Sequence, residues 1–111
     1  MAVLDYVELP VTSVATQSAF YSQAFGWNFT AYGETYAAHE DGPCQFALNG
    51  TGAHQGAAAL PVVRVEDIEA ALTRVKDAGG AITLGVFDYP GGRRFHFTDP
   101  EGREMAVYEP A

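Results

Sequence analysis

The chain has 111 residues, of which 48% are hydrophobic and 13% aromatic, and 14 acidic residues against 6 basic ones give it a net charge of -8. This composition is typical of one globular domain and excludes a disordered chain. A strongly acidic chain repels phosphate backbones and anionic lipids, so we expect neither nucleic acid nor a membrane as a partner. The opening residues MAVLDYVELP have no basic region ahead of an apolar one, which favours a first strand over a signal peptide and predicts a cytoplasmic location.

The first half of the chain predicts a strand, a helix and three short strands. VLDYVELPV alternates like a strand, and SVATQSAFYSQAFGW has helical spacing with Thr12 or Ser13 as its cap. Short strands follow in NFTAYG, TYAAHE and CQFALNG, each between turn residues. The residues expected on one face of the helix are Val14, Ala15, Tyr21, Ala24 and Phe25. The only cysteine is Cys44, and we expect it to fill the core rather than to act as a nucleophile.

The glycine-rich stretch GTGAHQGAA is expected to be a linker, because the same order of elements returns after it. A strand is predicted in ALPVVRV, a helix in EDIEAALTRVKDAG, and three more strands in AITLGVF, RRFHFT and REMAVYE. The second helix has an apolar stripe that must lie on a sheet, formed by Ile68, Ala71, Leu72 and Val75. Gly79 and Gly80 are expected to end this helix.

The two halves match at a fixed offset of 54 residues. The matched pairs include Val11 with Val65, Ser13 with Asp67 and Gly26 with Gly80. A strand, a helix and three strands that occur twice are two βαβββ modules of a single domain, at about residues 1–52 and about 58–111. We therefore predict an α+β fold in which the two modules form a curved, mostly antiparallel sheet around a cleft.

Four segments resemble the vicinal oxygen chelate superfamily, which includes glyoxalases, extradiol dioxygenases and bleomycin-resistance proteins. These segments are YVELPV, FYSQAFGW, VEDIEAALTRVKDAGG and FTDPEGREMAVYEP. The resemblance covers nearly the whole chain and is closest to small bacterial glyoxalase-like proteins, whose last hairpin carries a similar RFHF and DPEG pattern. Because chains of this superfamily with two modules usually pair, the resemblance also implies a homodimer.

In metal-using relatives the first ligand is usually a histidine on the opening strand, the second lies at the equivalent position of the second module, and a glutamate follows the DPEG turn. The corresponding positions here are Tyr6, Leu60 and Ala106. A divalent transition metal needs about three or four donors from His, Asp, Glu or Cys. No HxxxH or HxH spacing links the remaining histidines, which are His39, His54 and His96. We therefore expect no metal and no other cofactor.

The turn in the last hairpin decides which side chains point toward the cleft. DPEGR has proline at the first turn position and glycine where a left-handed residue is needed, which favours a three-residue loop with a glycine bulge. This register predicts the cross-strand pairs Asp99 with Arg103, His96 with Ala106 and Arg94 with Tyr108. A loop of two or four residues shifts the pairing by one, so that Phe95 and Phe97 point toward the cleft instead of His96.

Three functions are open for such a cleft. The first is metal-free binding of a small organic ligand, with contacts from Tyr6, Arg94, Tyr108, Leu60 and Ala106. The second is a glyoxalase-like lyase or isomerase in which His96 and Glu8 act as acid and base, since Glu8 shares a strand face with Tyr6. The third is an accessory domain with no ligand, whose cleft is filled by side chains. The same residues also allow structural roles: core packing for Tyr6 and Tyr108, a salt bridge between Arg94 and Glu8, and a hydrogen-bonded strand position for His96.

Overall fold

The structure, a computed structural model, describes residues 2–52 and 58–111. The centre of the predicted linker, including His54, lies outside the described residues. The described elements are β1 (Val3–Pro10), α1 (Val14–Phe25), β2 (Thr30–Ala31), β3 (Tyr36–His39), β4 (Gln45–Asn49), β5 (Leu60–Arg64), α2 (Ile68–Asp77), β6 (Ala81–Tyr89), β7 (Gly92–Thr98) and β8 (Glu104–Pro110). The chain forms two compact units, which we call the N-terminal unit (Asp5–Leu60) and the C-terminal unit (Pro61–Ala111 with Met1–Leu4).

The N-terminal unit orders its strands β2-β3-β4-β1. Strand β1 runs parallel to β4, with Glu8 opposite Ala47, and β3 is antiparallel to both β2 and β4. Helix α1 begins at Ser13, whose side chain accepts a hydrogen bond from the backbone N–H of Thr16, as expected of an N-cap. It ends at Gly26, which has a φ of 73° in the left-handed region that glycine adopts without a steric penalty.

The apolar face predicted for α1 is only partly right. None of the 12 residues of α1, all of them described, is buried. Val14 and Tyr21 are half-buried, and the Tyr21 ring meets the Phe46 ring of β4 edge-on at 5.1 Å. The other predicted members of the face, Ala15, Ala24 and Phe25, are exposed. The helix therefore touches its sheet through a narrow stripe and leaves much of its apolar surface outside the core.

The C-terminal unit orders its strands β5-β8-β7-β6, with β5 parallel to β8. Helix α2 begins at Asp67, whose carboxylate accepts from the backbone N–H of Ala70. The predicted stripe is confirmed: Ile68 and Ala71 are buried, and Leu72 and Val75 pack beside them on the core. The core that α2 covers consists of Val65, Ile68, Ala71, Phe95 and Val107, packed against Val63, Leu72, Val75, Ile82, Val86 and Phe97. Burial of this stripe holds the helix on one face of the sheet.

The predicted fold class is confirmed, because the chain is α+β and the βαβββ order occurs twice. In each unit the described strands form one parallel and two antiparallel ladders. The offset of 54 residues also holds in detail, since Ser13 and Asp67 both serve as N-caps. The repeated local signals therefore specify the same module twice.

Candidate functional site

The turn at residues 99–103 has the predicted three-residue loop. The N–H of Asp99 donates to the carbonyl of Arg103 at 3.0 Å, and the N–H of Gly102 donates to the carbonyl of Asp99 at 2.9 Å. Gly102 has a φ of 83°, the left-handed conformation that a glycine bulge requires. The Asp99 carboxylate accepts from the N–H groups of Glu101 and Arg103 at 2.9 and 3.0 Å, so the loop is fixed from inside.

This turn sets the register of β7 and β8. His96 pairs with Ala106 and Arg94 pairs with Tyr108, as predicted. Because neighbouring residues alternate between the two faces of a strand, Phe95 and Phe97 point the other way and pack on the core that α2 covers. The alternative register is thereby excluded. Arg94, His96, Ala106 and Tyr108 share the sheet face opposite α2.

Three charged or polar side chains on β7 and β8 form a connected series, which we call the Arg94–His96–Glu104 chain. Arg94 Nε donates to His96 Nε2 at 3.0 Å, and His96 Nδ1 lies 3.1 Å from Glu104 Oε2. Arginine has donors only, so Nε2 of His96 must accept and the ring proton must be on Nδ1, where it donates to Glu104. The imidazole is therefore neutral and held in one tautomer between a cation and an anion.

Burial makes this chain distinctive. His96 is 1% exposed and Arg94 is 4% exposed, whereas the side chain of Glu104 is 41% exposed. The adjacent strand β6 supplies aromatic neighbours: the Phe87 ring lies 6.2 Å from the His96 ring, and the Arg94 guanidinium lies 5.6 Å from the centre of the Tyr89 ring. A buried guanidinium beside an aromatic face retains its charge and is favourably placed for a cation–π contact.

The N-terminal unit has its own buried polar cluster, centred on Glu8, which is 3% exposed. The Glu8 carboxylate accepts from the Tyr36 hydroxyl and from Asn49 Nδ2, each at 3.2 Å. Asn49 Oδ1 in turn accepts from the N–H of Thr51 at 2.9 Å and from its hydroxyl at 2.7 Å. A buried carboxylate needs such donors to offset the loss of water. These two hydrogen bonds hold the Glu8 carboxylate in place.

The positions that the superfamily resemblance assigns to metal ligands are poor in donor atoms. Tyr6, Leu60 and Ala106 are all buried, and only Tyr6 carries a side-chain oxygen. Among residues 2–52 and 58–111 there is no group of three or more His, Cys, Asp or Glu side chains that could hold a metal ion. The residues present therefore do not fit the divalent metal that the superfamily resemblance implies.

Several residues of these clusters were not predicted. Glu104 lies two residues before Ala106 on the same strand, so the predicted register already placed it on the His96 face. Tyr36 and Asn49 are cross-strand partners at the end of the β3–β4 hairpin, and no turn signal as specific as DPEGR fixed that pairing. The expectation for Cys44 was wrong, because the residue is exposed just before β4 begins.

One titratable group outside these clusters is perturbed. Tyr32 donates its hydroxyl to both carboxylate oxygens of Glu40, at 2.9 and 2.7 Å. This hydrogen bond, with some desolvation and the carboxylate charge, raises the pKa of the Tyr32 phenol above its ordinary value. The pair is exposed and lies at the β2–β3 hairpin, so it braces a surface turn.

Two surface depressions lie at the ends of strands in the separate units. One, of about 490 Å³, is lined by Arg64, Val65, Glu66, Glu109 and Pro110. The other, of about 780 Å³, is lined by Pro10, Val11, Thr12, Ser13, Thr16, Gln17, Gly50 and Gly52. Neither lining includes the residues predicted for the site. Neither helix of the described residues has the length and apolar character that a membrane span requires.

Comparison with the solved structures named below shows the fold and no more, because each is less than 20% identical to this chain. A protein described as an NAD-dependent benzaldehyde dehydrogenase from Legionella pneumophila is 13% identical, with a TM-score of 0.81 over 96% of this chain and 98% of that one. Methylmalonyl-CoA epimerase from Mycobacterium tuberculosis is 17% identical, with a TM-score of 0.70 over 97% and 87%. A glyoxalase/bleomycin resistance protein/dioxygenase superfamily member from Vibrio splendidus 12B01 is 16% identical, with a TM-score of 0.67 over 100% and 98%.

No curated protein sequence matches the chain. A family model does match, and it covers residues 3–107, from the start of β1 into β8. The match extends over far more than half of the chain and agrees with the repeated fold, so the resemblance noted in the sequence is confirmed. The chain belongs to the Glyoxalase/Bleomycin resistance protein/Dioxygenase superfamily.

Proposed function

We propose that this protein binds a small organic ligand that carries an anionic or carbonyl oxygen, and that it does so without the divalent metal of its metal-using relatives. The observation that carries this proposal is the Arg94–His96–Glu104 chain, in which Arg94 and His96 are buried, on the sheet face that also carries Ala106. Ala106 stands where those relatives have a ligand glutamate. On this face the positive charge comes from the fixed guanidinium of Arg94 and not from a metal ion.

The chemistry of arginine defines the class of ligand. A guanidinium stays charged at all physiological pH values and presents N–H donors in a plane that matches a carboxylate or an enolate. Its Nε is held by the neutral His96 ring, which is itself anchored by Glu104. His96 therefore acts as a positioning residue for Arg94. The aromatic face of Tyr89 restricts the guanidinium from a second side.

A lyase or isomerase that uses His96 and Glu8 as acid and base is the second candidate, and the described contacts favour it less. Both nitrogens of the His96 ring are engaged, one with Arg94 and one with Glu104. Both oxygens of the Glu8 carboxylate accept hydrogen bonds from side chains. A proton transfer by either group must first break these contacts.

The burial of Arg94 and His96 supports the third candidate, an accessory domain that binds no ligand. Exposed fractions of 4% and 1% leave little of either side chain at the surface. A ligand must therefore displace neighbouring side chains or enter beside the more exposed Glu104 carboxylate. The ligand-binding candidate and the accessory-domain candidate differ in one measurable outcome, which is whether any small molecule stabilises the folded protein.

A thermal-shift screen tests the proposal with small mono- and dicarboxylates, catechols and acyl-CoA thioesters as probes. A ligand present at a hundred times its Kd adds about 2.7 kcal/mol to the free energy of unfolding, which raises the melting temperature of a domain of this size by about 10 °C. Arg94→Gln is expected to abolish that shift. The matched control is Arg93→Gln on the same strand, because Arg93 pairs at the surface with Glu69 and Asp88.

Two outcomes of the screen contradict ligand binding through Arg94. In one, no probe shifts the melting temperature of the unsubstituted protein, and the accessory-domain candidate is then preferred. In the other, the Arg94→Gln and Arg93→Gln variants respond equally to a stabilising probe. Product formation from that probe, followed by nuclear magnetic resonance, decides between the binder and the lyase or isomerase.

Substitution of His96 separates a positioning role from simple packing. His96→Gln keeps an acceptor for Arg94 but lacks the rigid ring that joins Arg94 to Glu104. We therefore expect the melting temperature to move little while binding of the stabilising probe weakens about tenfold or more. His96→Phe leaves the buried Arg94 donor without that acceptor and is expected to cost about 1–3 kcal/mol of stability. If His96→Phe binds the probe as tightly as the unsubstituted protein does, His96 is only a packed strand residue.

The donor set also predicts the response to chelators. Because Leu60 and Ala106 offer no side-chain donor, we expect elemental analysis of the purified protein to find far less than one equivalent of zinc, nickel or iron per chain. The melting temperature is expected to be the same before and after treatment with EDTA. One bound equivalent whose removal lowers the melting temperature contradicts this prediction.

The proposal also includes a cytoplasmic homodimer. Pairing is supported by the superfamily resemblance and by the large apolar side chains that remain at the surface.

A further inference from the structure

Helix α1 lies within a long stretch of the sequence that carries no charge. From Leu9 to Gly33 there is no Asp, Glu, Lys, Arg or His, although 18% of the chain is charged. Surface helices of globular proteins usually present charged side chains on the face that meets water. An uncharged helix on the surface of a protein with a net charge of -8 therefore requires an explanation.

Two aromatic side chains lie on the exposed, uncharged surface of α1. Phe20 is 57% exposed and Phe25 is 61% exposed, and both are backed by further rings. Phe20 lies 5.1 Å from Tyr21, Phe25 lies 5.1 Å from Trp27, and Tyr21 lies 6.1 Å from Trp27, measured between ring centres. We call this surface, formed by Phe20, Tyr21, Phe25 and Trp27, the α1 aromatic face. It is a contiguous apolar surface rather than a single exposed side chain.

The corresponding helix of the C-terminal unit shows what the same module looks like when it faces water. Helix α2 buries Ile68 and Ala71, which belong to its apolar stripe. Its remaining surface is exposed and charged, with Glu69, Arg74, Lys76 and Asp77. Helix α1 has the same place in the βαβββ order but buries none of its described residues and exposes two phenylalanines. The difference is specific to α1 and does not follow from the fold.

Charge decides which partner this face fits. A basic protein is attracted to carboxylates, and an anionic lipid surface to Lys and Arg, and neither charge occurs between Leu9 and Gly33. Two copies of a chain with a net charge of -8 repel one another, and the repulsion is weakest where the contact surface has no carboxylates. An uncharged aromatic surface is thus the place where a second copy can approach and bury apolar area.

We propose that the α1 aromatic face is the contact surface between two copies of this chain, with α1 of one protomer packed against α1 of its partner. Such a contact is isologous, because the same patch serves both copies. Phe20 and Phe25 are its central side chains, in keeping with the weight of aromatic residues at interfaces. The inference rests on the homodimer in the proposed function and is independent of ligand binding.

Light scattering and sedimentation at micromolar concentration test the surface directly. The unsubstituted chain is expected at twice 11.9 kDa, or about 24 kDa. The double variant Phe20→Glu with Phe25→Glu is expected to weaken the dimer at least about a hundredfold, because it places four carboxylates in the contact. The control is Thr73→Glu, which adds a carboxylate to the exposed surface of α2 and is expected to remain dimeric.

Trp27 supplies a second measurement that needs no substitution. It is the single tryptophan, and it stacks on His39 with ring centres 5.0 Å apart while meeting Phe25 at the α1 aromatic face. Its fluorescence is expected to change on dilution in step with the fall in mass. This readout holds even if the double variant does not fold.

Three results overturn the proposed surface. A dimeric double variant, or a mass that falls on dilution without any change in Trp27 emission, assigns the dimer to another part of the molecule. If the unsubstituted chain is monomeric, both the homodimer and the proposed contact surface are wrong. Ligand binding is then tested by the thermal-shift screen alone. A double variant that is monomeric beside a dimeric Thr73→Glu protein supports the proposal.

Discussion

Replacement of Phe95 by alanine is expected to lower the free energy of unfolding by about 3–5 kcal/mol, the usual cost when a large buried ring is removed. Phe95 is 0% exposed and is the largest of the fully buried side chains. It packs with Val107 of β8 and with Ile68 and Ala71 of α2, so its removal leaves a cavity between sheet and helix. Urea denaturation followed by circular dichroism measures the change.

Phe97 provides the comparison for this experiment. It lies on the same face of β7, and its ring is 6.3 Å from that of Phe95, but it is only partly buried. Phe97→Ala is therefore expected to cost less, about 1–2 kcal/mol. Equal costs for the two substitutions would show that α2 does not seal the sheet at Phe95. Because domains of this kind are stable by about 5–15 kcal/mol, Phe95→Ala removes a large part of the total.

Gly92→Ala is expected to destabilise the protein by at least about 2 kcal/mol, since a strained backbone and an overpacked contact each cost about 1–3 kcal/mol. Gly92 begins β7 with a φ of 141°, a conformation that residues with a side chain rarely adopt. A Cβ at this position falls 2.0 Å from the carbonyl oxygen of Glu109 and 2.8 Å from the backbone nitrogen of Ala111. These are backbone atoms, so the end of β8 must move away from β7.

Gly85→Ala is the matched control for Gly92→Ala. Gly85 lies within β6, has no positive φ, and no atom lies within 4 Å of the position that its Cβ would occupy. We expect this substitution to change the free energy of unfolding by no more than about 0.5 kcal/mol. Thermal denaturation of both variants gives the comparison. Similar melting temperatures for the two variants contradict the close approach of β7 and β8 at Gly92.

The last hairpin shows how much of a site can be predicted from a short sequence. DPEGR specifies both the loop length and the bulge, and from these the pairing of His96 with Ala106 follows by counting. The absence of metal donors at Tyr6, Leu60 and Ala106 rests on the superfamily resemblance and stays a prediction. Side-chain partners did not follow, because the register places Glu104 on the His96 face but does not determine the rotamers that bring Nδ1 and Oε2 to 3.1 Å.

Helix α1 shows where the sequence pattern is insufficient. Its apolar residues are spread around the helix, so spacing alone does not determine which of them meet the sheet. Val14 and Tyr21 do, while Phe25 is exposed. The stripe on α2 was predicted correctly because charged residues bound it on both sides. Where charged residues are absent, as between Leu9 and Gly33, the sequence pattern does not indicate which face of the helix is buried.

The parallel pairing of the first and last strands in each unit also orders events during synthesis. Strand β1 can pair with β4 once the chain has been synthesised as far as Asn49. Strand β5 can pair with β8 only after the residues from Glu104 onward have been synthesised. Val62 and Ala106 are register partners separated by 44 residues, and Tyr6 and Gln45 are partners separated by 39, so closure of either ladder is a long-range event that slows folding. The N-terminal unit is thus expected to complete its hydrogen bonding while the C-terminal strands are still being translated.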